Sequence, residues 1–389
     1  MSLNYDLPEE AEMVRDTVRK FAEEVIKPKA QELDEKEEFS PEITKQMGEI
    51  GLFAFIVPEE YGGNGCGYLP YTVAVEELAR IDGSHAATVA AHNSLGSGPI
   101  YYYGSEEQKK KYLPQLTTGE KLWGFGLTEP DAGSDAGATK TTAVKDGNEW
   151  VINGSKMFIT NASSPSSLGV TVQTGTGTRA DGKKEHTCFL IEQGTPGFEA
   201  KTMHKKMIWR SSITSELYFD NCRVPEEHIL GKPGEGFRQM LDTLDKGRLS
   251  IAAMGLGCAQ GAYDLALKYA KERKQFGQAI STFQANAFKL ADMHVEIEAA
   301  RNLLYKAAWL CENKKNEYKK YASMAKLYCS EVAYRCVNHA LQIHGAYGFM
   351  QEYDVERFYR DQKLLEIGEG TSEILRLVIS RYIGCYDVD

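Results

Sequence analysis

Glu369 stands in the string Gly368-Glu369-Gly370-Thr371-Ser372-Glu373, just ahead of an apolar stretch that includes Ile374, Leu375 and Val378. A carboxylate held in a dry site gains proton affinity and can act as a general base. The same position also suits an ordinary helix start, where Thr371 or Ser372 caps the first turn and a nearby acid is favoured by the helix dipole. Arg273, amid Lys271, Glu272 and Lys274, reads on its own as part of a solvated helix face. The segment running from Phe125 through Leu127, Thr128 and Ser134 to Asp135 is dense in turn formers and hydroxyls, and taken alone it is an irregular loop. Gly255-Leu256-Gly257-Cys258-Ala259-Gln260-Gly261 imitates a dinucleotide fingerprint but has one residue too many and no strand before it. Its small residues are expected to let two helices approach closely. The eight cysteines are scattered, with no C-x-x-C pair and no metal-ligand spacing to histidine, so no metal site is expected.

These residues need elements to position them. Val14, Val18, Phe21 and Val25 repeat at helical spacing, and Pro28 is expected to interrupt the pattern. Further helices are expected up to about Lys121. After Leu122, turn pairs at Asp146-Gly147, Asn153-Gly154 and Asp181-Gly182 separate β-rich runs such as Trp150-Val151-Ile152, Cys188-Phe189-Leu190-Ile191 and Glu216-Leu217-Tyr218-Phe219. Pro225 and Pro233 mark the end of that block. From about Gly236 helical periods return, with Leu290, Met293, Ile297 and Leu304 on one face and Val332, Cys336, Ala340 and Ile343 on another. The expected architecture is α+β and multidomain. It comprises an N-terminal helical domain at 1–121, a middle β-barrel or sandwich domain at 122–232, and a C-terminal four-helix bundle at 233–389.

A chain of 389 residues can bury a large interior, and 42% hydrophobic with 26% charged residues is ordinary for a globular protein. The net charge of -10 argues against nucleic acid or an anionic membrane as the main partner. Met1-Ser2-Leu3-Asn4-Tyr5-Asp6 lacks the character of a signal peptide, and no apolar run reaches membrane-spanning length. With scattered cysteines, this predicts a reducing compartment: a bacterial cytoplasm, or a mitochondrial matrix for a processed organellar form.

The string TEPDAGSD at 128–135, followed by Trp150 to Asn161, resembles the acyl-CoA dehydrogenase family. PEEYGG at 58–63, ERKQFGQAI at 272–280, QIHGAYGF at 342–349 and GEGTSEILR at 368–376 follow in that family's order and spacing. The resemblance implies that same three-domain fold, with FAD between the last two domains and across a subunit boundary, in a homotetramer or homodimer. It implies removal of a proton and a hydride from neighbouring carbons of an acyl-CoA, giving the trans-2-enoyl-CoA in fatty acid or amino acid catabolism. Electrons would pass to an electron-transfer flavoprotein.

Residue by residue, the resemblance makes Glu369 the base and has its backbone N–H polarise the thioester carbonyl. Some relatives carry the base at the position matched here by Gly247, which cannot serve. Phe125, Leu127 and Thr128 fall along the isoalloxazine edge. Phe158 packs on the ring where many relatives have Trp, and Thr160 offers its hydroxyl near the reactive nitrogen. Ile159, Thr371 and Glu373 complete the near cofactor set. Arg273, Phe276, Gln284, Gln342, Gly345 and Ala346 match residues that hold the adenine and diphosphate end from a neighbouring subunit, a task suited to arginine's planar fork of donors. Ser134, Asp245, Arg248 and Gly370 match substrate-binding positions, although Asp245 and Arg248 could equally form an i,i+3 ion pair.

For the acyl group, Gly368 replaces the Tyr of many straight-chain relatives, so a wider pocket for short, branched or cyclic groups is expected. Ala86 falls where glutaryl-CoA relatives carry Arg, which disfavours glutaryl-CoA. An oxidase on the same scaffold and a non-catalytic acyl-CoA-binding scaffold are the alternatives.

Overall fold

The structure, a computed structural model, describes residues 6–386; residues 1–5, read above for leader character, lie outside the described residues. Three blocks follow one another as expected: helices, then strands, then long helices. Among the described residues no helix is long and apolar enough to cross a membrane.

The first block holds α1 (Glu9–Phe21), α2 (Lys27–Lys36), α3 (Pro41–Glu49), α4 (Tyr68–Ala79), α5 (Gly83–Ala91), α6 (Gly98–Tyr103) and α7 (Glu106–Thr117). Pro28 does not stop the first helix as expected. A π turn at Ala22–Ile26 joins α1 to α2, and Pro28 falls in the first turn of α2. The wider turn shifts the hydrogen-bond register just before the proline, so its missing N–H breaks no established ladder. Every residue of α4 is buried, including Glu76 and Glu77. A helix that is apolar almost all round belongs inside a protein.

The middle block is one seven-stranded sheet in the order β1-β4-β2-β3-β7-β6, with β5 paired to β4. Its strands are β1 (Leu122–Gly126), β2 (Thr142–Asp146), β3 (Glu149–Thr160), β4 (Ser167–Thr178), β5 (Lys184–Glu192), β6 (Phe198–Thr202) and β7 (Thr214–Pro225). Asp146-Gly147 closes the β2–β3 hairpin, and Asp181-Gly182 turns β4 into β5. Asn153-Gly154 is no turn between strands. It lies inside β3 as an irregularity opposite β7, where the Asn153 side chain accepts from the Asn221 N–H at 2.8 Å. An Asn-Gly pair can bulge a strand as readily as it can reverse one.

The last block contains α8 (Gly236–Glu272), a small hairpin of β8 (Lys274–Gln275) and β9 (Gln278–Ala279), then α9 (Gln284–Glu312), α10 (Tyr318–His344), α11 (Val355–Asp361) and α12 (Ser372–Tyr382). The predicted apolar faces of α9 and α10 are buried throughout. The glycine-rich stretch lies in mid-α8. A Cβ at Gly255 would meet the Cys329 backbone of α10 at 2.9 Å, and one at Gly257 would strike α4. These glycines therefore allow close helix packing. One apolar cluster runs from the first helices into the bundle, and a second fills the sheet.

Candidate active site

Glu369 lies in the turn between α11 and α12, and its backbone takes the left-handed conformation, with φ of 53°. Thr371 caps α12 by accepting from the Ile374 N–H at 3.3 Å. The helix-start reading is thus correct in its geometry, yet it does not explain where the Glu369 side chain goes. The carboxylate turns inward against α8, where a Cβ at Gly247 would collide with Oε2. As a residue Glu369 is half-buried, but its Oε2 is sealed from solvent and has no hydrogen-bond partner. Burial pushes its proton affinity up, and Lys326 and Arg248 pull it back only in part, leaving a pKa of about 7.

Arg248 is buried on α8 and donates from Nη1 to Asp245 Oδ1 at 2.6 Å and to Ser323 Oγ at 3.1 Å. The i,i+3 ion pair is therefore present. Arg248 Nε remains buried without a partner, so the pair does not exhaust the guanidinium. Gly370 follows Glu369, and its carbonyl accepts from Lys326 Nζ at 2.6 Å. Tyr71 of α4 lies near Glu369 and donates its hydroxyl to the Ala90 carbonyl at 2.7 Å.

A second cluster forms where β1 runs out. Phe125 and Leu127 are buried, and the Thr128 carbonyl accepts from the Met157 N–H at 3.0 Å, which joins the 125–128 segment to 158–160 of β3. Phe158 has φ of 63° and is 60% exposed, while Ile159 beside it is buried. Ser134 lies exposed in the following loop. A third group gathers at the far end of the bundle. Arg273 ends α8 and places its guanidinium 5.7 Å from the centre of the Tyr347 ring, beside Gly345 and Ala346 at the end of α10. Phe276, at the tip of the β8–β9 hairpin, is 94% exposed and meets Phe283 edge-on. Gln284 and Gln342 are exposed at the ends of α9 and α10. Glu373 is exposed in the first turn of α12.

Three family models cover nearly the whole chain: the acyl-CoA dehydrogenase N-terminal domain at 8–120, the middle domain at 124–222 and the C-terminal domain at 234–384. The chain belongs to the acyl-CoA dehydrogenase family. It is 50% identical over 381 residues to the probable acyl-CoA dehydrogenase YngJ of Bacillus subtilis, covering 98% of this chain and 100% of that protein. The butyryl-CoA dehydrogenase of Megasphaera elsdenii matches with a TM-score of 0.94 at 39% identity, over 98% of this chain and 100% of that one. A glutaryl-CoA dehydrogenase from Mycobacterium smegmatis in complex with FADH2 matches with a TM-score of 0.92 at 30% identity, over 98% of this chain and 96% of that one.

In this acyl-CoA dehydrogenase, two buried lysines escaped the sequence reading. Lys156, from the INGSK run, pairs with Glu129 at 2.7 Å and also donates to the Leu127 carbonyl at 3.1 Å. Glu129 in turn accepts from the N–H groups of Lys140 and Thr141. Burial holds Lys156 down to about 8. Lys326 on α10 is fully buried beside Glu369. Its signal was faint: a lysine within the apolar-small run Ala325-Lys326-Leu327 looks like one more surface position unless the helix face is known.

Proposed function

We propose that this chain oxidises an acyl-CoA thioester to its trans-2-enoyl-CoA, with Glu369 removing the α-proton. The observation that carries the reading is the Glu369 carboxylate, whose Oε2 is sealed from solvent and without a partner, with a pKa of about 7. A base near the working pH combines a useful ionised fraction with enough driving force to take a weakly acidic proton. Its own backbone N–H is the donor proposed for the thioester carbonyl, where negative charge develops.

The residues present fit FAD. The exposed Phe158 ring offers a stacking face, the 125–128 segment is hydrogen-bonded beside it, and the exposed Arg273 fork suits a diphosphate. When bound, FAD supplies at N5 the acceptor for the hydride leaving the β carbon. Phe125, Leu127, Thr128, Phe158, Ile159 and Thr160, with Thr371 and Glu373, would hold the isoalloxazine end. Arg273, Phe276, Gln284, Gln342, Gly345 and Ala346 would hold the adenine end of a neighbouring subunit's cofactor. Ser134, Asp245, Arg248 and Gly370 would hold the CoA thioester, so that the reacting carbons are fixed between base and acceptor. The acceptor proposed for the electrons is an electron-transfer flavoprotein.

The substrate we propose is short, branched or cyclic. A Cβ at Gly368 would make only ordinary contact with Leu364, at 3.5 Å, so the backbone does not require glycine there and the missing side chain leaves space. Ala86 is buried in α5 and brings no cation for a distal carboxylate. The test is anaerobic titration of the FAD-bound protein with a panel of acyl-CoAs, read by flavin bleaching. Glu369→Gln should keep FAD and lose bleaching by about 10³-fold or more. Undiminished bleaching in that variant would refute the assignment of the base, and strong preference for unbranched medium or long chains would refute the substrate class.

A further inference from the structure

One face of α10 is polar although it is turned inward: Lys319, Ser323, Lys326 and Ser330 recur at i, i+4, i+7 and i+11. Ser323, Lys326 and Ser330 expose no surface. Lys319 Nζ lies 2.8 Å from Asp242 Oδ1 and 3.0 Å from Asp245 Oδ2, and Ser323 accepts from Arg248. Lys326 donates to the Gly370 carbonyl at 2.6 Å, and Ser330 donates to the Leu365 carbonyl at 2.8 Å. The first half of this face thus holds the polar end of α8, and the second half holds both ends of the turn that carries Glu369.

That turn is strained at Glu369, a non-glycine residue with φ of 53°, while Gly370 takes its φ of 108° freely. A non-glycine residue stays in the left-handed region when its surroundings over-determine it, and the Lys326 and Ser330 bonds are such restraints. A methionine would fill the volume of Lys326 without the cost of burying an ammonium. The cation therefore needs a reason to be there.

We propose that Lys326 is a positioning residue for the base: its ammonium clamps the Gly370 carbonyl, fixes the strained turn and keeps a positive charge beside the Glu369 carboxylate. This rests on Glu369 being the base. Glu369 is faced by Lys326 from α10, Arg248 from α8 and Tyr71 from α4, while Glu366 and Glu331 also act on Lys326 and Asp245 and Lys319 flank Arg248. Lys326 and Arg248 lower the proton affinity that burial raises, so removing either cation leaves Glu369 harder to ionise.

The experiment compares FAD-bound wild type, Lys326→Met and Glu369→Gln by flavin bleaching and by kcat and KM against pH. Lys326→Met should lose about a hundredfold in kcat, change KM by less than about threefold, and move the acid limb of the kcat profile to higher pH. Bleaching retained in Glu369→Gln overturns the base itself. A silent Glu369→Gln beside a Lys326→Met with wild-type kcat and an unmoved acid limb overturns the role of Lys326 alone. If Lys326→Met fails to hold FAD, Lys326→Arg decides. An unmoved limb with kcat at least about tenfold lower supports the clamp, and wild-type kcat or a displaced limb overturns it.

Discussion

Gly247 and Glu369 share one small space, and that sharing governs the chemistry at the scale of the residue. A Cβ at 247 would collide with the carboxylate, so glycine on α8 is the condition for the proposed base to enter from the turn before α12. With Glu369 as the proposed base, its raised proton affinity sets the expected pH dependence. Below its pKa of about 7 the carboxyl is protonated and cannot accept the α-proton, so kcat/KM should rise about tenfold per pH unit and level off above about 7. Gly247→Ala should lower that plateau about a hundredfold while FAD content stays unchanged, since it displaces the carboxylate and leaves the β3 and hairpin residues alone. Stopped-flow bleaching across pH measures both. A plateau equal to that of wild type would mean that the turn relaxes freely.

At the scale of the element, the Lys156–Glu129 pair decides whether two segments stay together. Burial alone would raise the proton affinity of Glu129, but Lys156 and the donors at 140 and 141 hold it below the usual carboxylate range. The ion pair fastens β3 to the loop after β1, so Phe158 to Thr160 and Phe125 to Thr128 keep a common frame. Removing one partner of a buried pair leaves the other charge uncompensated, at a cost of about 3–5 kcal/mol. Lys156→Met should therefore lower the melting temperature and release FAD on dilution. A variant with unchanged melting and full flavin content would show that the Met157 and Thr128 backbone bond suffices.

At the scale of the whole molecule, Asp361 ties the blocks together. Its Oδ1 accepts from the Trp209 N–H at 2.8 Å, joining α11 to the loop before β7. Arg360 beside it pairs with Asp34 of α2 at 2.6 Å, and buried Arg357 lies 3.6 Å from Asp82 ahead of α5. Burial first, and then the Asp82 charge, raise the pKa of Asp361 to about 7. A carboxyl whose folded pKa lies above its unfolded value contributes stability that is complete below the unfolded pKa and is lost as pH rises through about 7. Stability should fall on going from pH about 6 to about 8, by an amount on the order of 1–2 kcal/mol. Asp361→Asn keeps the acceptor for Trp209 and should remove the share of that slope due to Asp361, leaving the share of Glu369, whose carboxyl is also raised to about 7. Thermal melts at the two pH values measure it, and an equal slope in both proteins would place the titration elsewhere.

Much of this was written along the chain. Periodicity in α9 and α10, the β-rich runs and the turn pairs set the order of helical, β and helical blocks, because each signal is local and each residue reports its own face. Family strings singled out Glu369 and the 125–128 and 158–160 segments for the same reason: their residues are contiguous. Pro28 and Asn153-Gly154 misled because a π turn and a strand irregularity use the same residues as a helix stop and a hairpin. What only the tertiary structure decided is which groups meet across the fold. Lys326 and Lys156 are single lysines in the sequence. They become partners of Gly370 and Glu129 only when helices and strands distant along the chain pack together and exclude water, and that exclusion is also what carries the Glu369 carboxyl up to about 7.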